Sequence, residues 1–207
     1  MRPLQPLQSV LTFSDYFRLN IDVDAVLEYL GYSYESKIIN LPRTTQLISW
    51  SQALHDRLNA TLPNVILTSE TARREFLIAP VLAELAGHLA VKIRVEYALD
   101  AGEHLRGTVD YFLQAEHNLL VIEAKNADLQ RGFTQLAAEL VALDQLMEHP
   151  TPLLYGAVSI GNVWQFGVLD RTKKQITQDI NVYAVPTELN ELLLILVGIL
   201  TNLPLAS

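Results

Sequence analysis

The chain has 207 residues, half of them hydrophobic and 18% charged, which predicts one folded domain and excludes a disordered or fibrous protein. Its 23 acidic and 15 basic residues give a formal net charge of -8, which disfavours a protein that coats nucleic acid by neutralising phosphates. There is no cysteine, so a disulfide scaffold, a thiolate zinc site and a cysteine nucleophile are excluded, and a cytoplasmic location is expected.

The first half of the chain predicts a helical region followed by three strands. Residues 1–64 are predicted to form an N-terminal helical appendage, with helical patterns at 22–30 and 44–62 and an extended segment at 37–42. From Ser69, which can cap a helix, apolar residues recur at helical spacing up to Gly87. Extended segments rich in β-branched and aromatic residues follow at 91–99, 107–113 and 119–124.

The second half predicts an amphipathic helix at 129–147, extended segments at 153–160, 163–169 and 175–185, and an apolar helix at 187–203. This order predicts an α/β or α+β sheet flanked by helices, in a core that spans residues 65–207. Residues 192–200 are apolar on every side of a helix, which predicts burial in the core or against a second copy of the chain. This run is about half as long as a membrane-spanning helix, so no membrane contact is expected.

The strands at 107–113 and 119–124 carry the charged residues of most interest. On a strand, Glu123 and Lys125 are two residues apart and share a face. A hairpin loop of two or four residues pairs Asp110 with Glu123 and Thr108 with Lys125, whereas a three-residue loop turns Asp110 away. The predicted meeting of two carboxylates and one ammonium therefore depends on the parity of the loop.

Two opposed carboxylates favour a bound cation. Like charges directly opposite in a sheet are destabilising by up to about 1 kcal/mol unless a cation lies between them. Carboxylate and carbonyl oxygens suit Mg²⁺ or Mn²⁺, and the lack of cysteine disfavours zinc. The alternative is that Asp110 lies on a solvated strand face and that Glu123 and Lys125 form an exposed ion pair of little energetic value.

Asp110, the apolar strand that ends in Glu123-Ala124-Lys125 and the helix after it resemble the PD-(D/E)xK nuclease superfamily, whose fold is restriction-endonuclease-like. More narrowly, residues 69–85, 107–113, 119–125 and 154–170 are similar in order and wording to the N-terminal nuclease module of type I restriction enzyme motor subunits. The resemblance covers about residues 65–185. It implies a mixed central sheet flanked by helices.

The resemblance implies a role for each matching residue. Asp110 and Glu123, with the carbonyl of Ala124, would bind Mg²⁺, for which Mn²⁺ could substitute. Lys125 would orient or activate the attacking water and stabilise charge on the scissile phosphate. Glu70 would supply a further acidic group, with Glu75 as the fallback. The implied activity is Mg²⁺-dependent hydrolysis of DNA, and the alternative is a catalytically weak or inactive nuclease-fold module that binds nucleic acid or regulates.

Contacts with DNA are expected from Arg131 and Gln135 on the helix after the lysine and from Lys173 and Lys174 in a basic turn. Family members often have Gln-x-x-x-Tyr on that helix, whereas here Gln135 is followed by Glu139. The alternative for Lys173 and Lys174 is a solvated hairpin tip.

Two further expectations concern a helix face and the partners of the chain. Arg73 and Arg74 are expected on a solvated helix face, and the alternative is that they are phosphate ligands. Because the chain has no motor region, any translocation is expected to need a separate motor or specificity subunit. A homodimer is the other expected partnership.

Overall fold

A computed structural model describes residues 10–18, 21–116, 118–125, 128–148 and 151–201. The strands are β1 (Ser33–Lys37), β2 (Lys92–Asp100), β3 (Arg106–Gln114), β4 (Leu119–Ala124), β5 (Leu153–Ser159), β6 (Val163–Asp170) and β7 (Gln175–Ala184). The helices are α1 (Phe13–Arg18), α2 (Val23–Leu30), α3 (Ser51–Thr61), α4 (Glu70–Arg73), α5 (Ala79–His88), α6 (Leu129–Leu146) and α7 (Leu189–Thr201). A 3-10 turn (Leu62–Asn64) follows α3, and a π-helical turn (Arg74–Ile78) joins α4 to α5.

The strands form one mixed sheet in the order β1-β7-β6-β5-β4-β3-β2. Neighbouring strands are antiparallel except at two places, where β4 pairs with β5 and β1 pairs with β7 in parallel. Parallel neighbours need a long crossover, and α6 supplies it between β4 and β5. The sequence-based expectation of an α/β sheet flanked by helices is therefore confirmed.

Two hydrophobic clusters cover the two faces of the sheet. One contains buried residues of α3, α5 and α7, and the other contains buried residues of α1, α2 and α6. The apolar side chains of α7 lie in the first cluster, so this helix is buried in the core of its own chain, the first of its two predicted environments. Among the described helices, none has the length and apolar character that crossing a membrane requires.

The predicted N-terminal appendage is built into the same sheet and core. Strand β1 pairs in parallel with β7 at the edge of the sheet, and Leu54 and Leu58 of α3 are buried in the first cluster. Phe13 and Tyr16 of α1 are buried in the second. The described residues of this segment, 10–18 and 21–64, therefore complete the sheet and both clusters rather than forming a separate attachment, and residues 1–9, 19 and 20 of the predicted appendage lie outside the described part of the chain. Strand β1 was not predicted because its sequence, Ser-Tyr-Glu-Ser-Lys, has only one strong strand former.

Candidate active site

The candidate site lies where β3 and β4 separate. Their ladder runs from Gln114 paired with Leu119 to Tyr111 paired with Ile122, which is the predicted register that brings Asp110 level with Glu123. There the Asp110 carboxylate accepts a hydrogen bond from the backbone N–H of Ala124, with an oxygen-to-nitrogen distance of 2.8 Å. The Asp110 carboxylate thus replaces the backbone acceptor that the N–H of Ala124 would have if the ladder continued.

The predicted pairing of Thr108 with Lys125 is not part of this ladder. The backbone N–H of Lys125 donates instead to the carbonyl of Ser159 on β5, at 2.7 Å. The chain therefore turns toward its parallel neighbour after Ala124 and leaves β3.

Glu123 and Lys125 form a buried ion pair at this end of β4. The Lys125 ammonium contacts Oε1 of Glu123, and the two side chains are only 12% and 1% exposed. The ammonium also lies 5.2 Å from the centre of the Phe17 ring on α1. Burial of two charges is costly unless they are paired and hydrogen-bonded, so this pair differs from the exposed one that was the alternative expectation.

Helix α6 contributes the amide of Gln135, which was predicted only as a DNA contact, and the carboxyl of Glu139, which the sequence did not predict as a site residue. The Gln135 amide nitrogen donates to Glu123 at 2.6 Å and to Glu139 at 2.9 Å. Gln135 and Glu139 are four residues apart and therefore share one helix face. The available signal was a Gln-x-x-x-Glu pair within an otherwise apolar helix face, where a buried acid needs a partner.

This placement corrects the expected role of Gln135 as a DNA contact. Its side chain is buried, at 3% exposure, and its amide is directed at two acids. Gln135 thus holds Glu123 in position from the α6 side.

Burial dominates the electrostatics of the acids. The pKa of Glu123 is raised to about 7, because burial and the charge of Asp110 raise it more than Lys125 lowers it. Burial also raises the pKa of Glu139 well above its ordinary value, with a further contribution from the charge of Glu123. The acid pair consequently favours a state that keeps a proton near neutral pH.

Lys125 responds to all of the predicted acids. Burial alone would lower its pKa, but the charges of Glu123, Asp110 and Glu70 raise it above the ordinary value. Glu70, half-buried at the start of α4, is therefore within electrostatic reach of the lysine. Lys125 therefore interacts electrostatically with all three of the acids predicted to act with it, and it keeps its proton.

Arg73 and Arg74 are not on a solvated helix face. Arg73 donates to the backbone carbonyls of Leu67 and Ile160, so it anchors two loops. The Arg74 guanidinium lies beside Asp110, with a nitrogen-to-oxygen distance of 3.4 Å. The expectation fails because the π-helical turn begins at Arg74 and the helix packs against the sheet at that point.

The other predicted DNA contacts lie at two different ends of the sheet. Arg131 is half-exposed on the first turn of α6, where it pairs with Asp128 at 3.1 Å. Strand β6 passes the site at Trp164, which pairs with Ser159 of β5. The strand ends six residues later, about 20 Å away, and Lys173 and Lys174 follow this end. The expected contact near the site is therefore corrected for these two lysines, which form an exposed hairpin tip.

The donor set suits a hard cation. Asp110 and Glu123 supply carboxylates, and Oε2 of Glu123 is buried without a hydrogen-bond partner. Mg²⁺ takes few protein ligands and retains water or binds substrate oxygens, so two carboxylates and the Ala124 carbonyl are sufficient. No cluster of three or more His, Asp or Glu side chains that could hold a metal occurs within the part of the chain that the structure describes.

Gly132 on α6 permits the close approach of the helix to the site. A Cβ there would lie 2.6 Å from a methyl group of Val158 and 3.1 Å from Cγ of Lys125. We expect Gly132→Ala to lower the free energy of unfolding by about 1 to 2 kcal/mol, measured by urea denaturation, because overpacking outweighs the gain in helix propensity. Gly87→Ala is the matched control, because, apart from its own helix, no atom of the described residues lies within 4 Å of its Cβ position. A stabilised Gly132→Ala variant would contradict this packing.

Comparison with known proteins leaves the site to be interpreted from its own geometry. No family model matches the chain, and no significant match is found among curated proteins or solved structures. The resemblance of the sequence to PD-(D/E)xK nucleases therefore rests on Asp110, the Glu123-Ala124-Lys125 run and their surroundings.

Proposed function

We propose that this chain is a Mg²⁺-dependent nuclease that hydrolyses DNA phosphodiester bonds and has a restriction-endonuclease-like fold. The observation that supports it is the convergence of Asp110, Glu123 and Lys125 where β3 and β4 separate. Their order and spacing are those of the PD-(D/E)xK pattern. Mn²⁺ would substitute for Mg²⁺ because both prefer oxygen ligands.

Each site residue has a distinct part in this proposal. Asp110, Glu123 and the carbonyl of Ala124 would hold the cation, which when bound supplies a Lewis acid for the phosphate and an acidified water. Since the acids around Lys125 raise its pKa, the lysine acts as a proton-bearing donor that stabilises negative charge on phosphate oxygens, not as a base. Glu70, the remaining acid of the group, is the residue available to orient the water.

Gln135 and Glu139 support the site from behind. The Gln135 amide ties Glu123 to Glu139, so the carboxylate of Glu123 cannot rotate freely about its side-chain bonds. Fixed ligands of this kind reduce the reorganisation needed when a cation and a phosphate bind. These two residues are therefore positioning residues.

A nuclease-fold module with weak or no catalysis is the second candidate. It is favoured by the pairing of Glu123 with Lys125 and Gln135, which already satisfies one of the two carboxylate oxygens, and by the net charge of -8. In this case the chain would bind nucleic acid or regulate a separate motor or specificity subunit.

Metal binding and plasmid cleavage test the proposal. We expect Mg²⁺ and Mn²⁺ to raise the thermal unfolding temperature by a few degrees, because a ligand that binds only the folded state stabilises it. Asp110→Asn should remove most of this shift. Asp100→Asn, at an exposed position on the neighbouring strand β2, should leave it unchanged. Wild-type protein should nick supercoiled plasmid only with the metal present. A flat thermal response without nicking would refute the proposal, and metal binding without nicking would favour the second candidate.

A further inference from the structure

Arg74 is a partly buried cation beside the proposed catalytic acids, and it has no part in the mechanism above. Its side chain is 18% exposed. Its nitrogens lie 3.4 Å from the Asp110 carboxylate, 3.4 Å from the Tyr111 hydroxyl and 3.7 Å from the Glu96 carboxylate. All three distances exceed those of strong N–H···O hydrogen bonds, so each of these groups holds the guanidinium loosely.

Two other arginines show what a structural role looks like in this fold. Arg171 lies 2.6 Å from the Asp144 carboxylate and 2.7 Å from the Met147 carbonyl. Arg73 lies 2.9 Å from the Leu67 carbonyl. Both are fixed at short distance to backbone carbonyls, and Arg171 is also fixed to a partly buried acid. Arg74, by contrast, makes only long contacts with the described residues, and its donors point at groups of the proposed active site.

The backbone departs from regular geometry on both sides of Arg74. The π-helical turn begins at this residue, and such turns occur frequently at functional sites. Across from it, Glu96 on β2 has a positive φ of 52° and lies level with Asp110, between the pairs that join β2 to β3 at Val95 and Tyr97. The left-handed conformation is unfavourable for residues other than glycine. Two such departures meeting at one side chain indicate a function beyond packing.

We propose that Arg74 binds a nonbridging oxygen of the substrate phosphate beside Asp110, and this inference rests on the proposed nuclease function. A guanidinium presents several N–H donors in a planar fork that matches a phosphate group. The Tyr111 ring, whose centre is 5.3 Å from the Arg74 guanidinium carbon, supports that plane. Asp110 and Glu96 hold the Arg74 guanidinium beside the site through long contacts. The substrate phosphate, a stronger anion, would replace these contacts when it binds. Arg74 would then be a catalytic residue and Glu96 a positioning residue.

The test compares Arg74→Gln with Arg106→Gln in the full chain. Arg106 is the matched control, because it is a half-exposed arginine that pairs with Asp100 where β2 and β3 are joined by their turn, away from Asp110. Binding of a labelled DNA duplex is measured with Ca²⁺, and kcat and KM for cleavage are measured with Mg²⁺. We expect Arg74→Gln to weaken binding about tenfold and to lower kcat, and Arg106→Gln to stay within twofold of wild type.

Arg74→Lys keeps the charge but lacks the fork, and it remains informative if Arg74→Gln does not fold. We expect it to have a wild-type unfolding temperature and an affinity for the duplex between those of wild type and Arg74→Gln. Binding and cleavage within twofold of wild type in both variants would overturn the role of Arg74 and leave the nuclease proposal intact. A wild-type protein that neither binds nor cleaves DNA would overturn both.

Discussion

Lys125→Ala is expected to reduce the rate of plasmid nicking by about 100- to 1,000-fold, the cost of removing a charge-stabilising donor from a hydrolytic site. Lys125 keeps its proton because Glu123, Asp110 and Glu70 raise its pKa, and it is largely withdrawn from water. The measurement is single-turnover nicking of supercoiled plasmid with Mg²⁺. Equal rates for wild type and Lys125→Ala would remove this lysine from the mechanism.

The chain contains its own control for this experiment. Glu35 and Lys37 repeat the Glu-x-Lys spacing and form an ion pair at 2.7 Å, but they lie on the edge strand β1 with 39% and 54% of their side chains exposed. Lys37→Ala should therefore nick plasmid at the wild-type rate.

Folding has to be separated from chemistry in the Lys125 experiment. Removing the ammonium leaves Glu123 buried without its partner, and breaking a buried pair costs about 3 to 5 kcal/mol. Lys125→Gln keeps a hydrogen-bond donor for Glu123, so it should remain folded and still be inactive. Unfolding temperatures of all variants show which loss of activity is chemical.

The hairpin that carries the site could be predicted from sequence because its constraints are local. Residues 119–124 alternate between the two faces of the sheet and match the bounds of β4, and the parity of the loop then decides whether Asp110 meets Glu123. Asp22, Glu35 and Lys37 repeat the spacing of Asp110, Glu123 and Lys125, but Asp22 leads directly into α2, so no hairpin can place it beside Glu35. Local pattern was sufficient where two adjacent strands form the site.

The supporting residues could not be predicted because they depend on packing between distant segments. Glu139 becomes a site residue only through the position of α6 over β4, which the close approach at Gly132 permits. Arg74 reaches Asp110 only through a π-helical turn that a regular helical period does not predict. Strand β1 is polar because it lies at an edge, where a hydrophobic pattern is not required. In each case the position of the residue or strand is set by contacts with distant segments, and the neighbouring sequence carries little indication of it.

The buried acids predict an unusual dependence of stability on pH. In the folded chain the pKa of Glu123 is raised from 4.5 to about 7 by burial, and that of Glu139 is raised by burial and by Glu123. The folded state therefore binds more protons than the unfolded state between about pH 4.5 and 7, so the free energy of unfolding falls as the pH rises through this window. The shift at Glu123 alone corresponds to about 3 kcal/mol. Urea denaturation at pH 5 and pH 8 in the presence of EDTA measures the difference.

Glu139→Gln should remove a large part of that difference, because a glutamine has nearly the shape of a protonated glutamate and does not titrate. Its oxygen can still accept from Gln135, and its amide can donate to Glu123 as the protonated acid does. We expect similar stability to wild type at pH 5 and higher stability at pH 8. The control Glu35→Gln changes an exposed acid and should keep the wild-type slope. A wild-type protein that gains stability from pH 5 to pH 8, or a Glu139→Gln variant with an unchanged slope, would contradict a proton held between these acids.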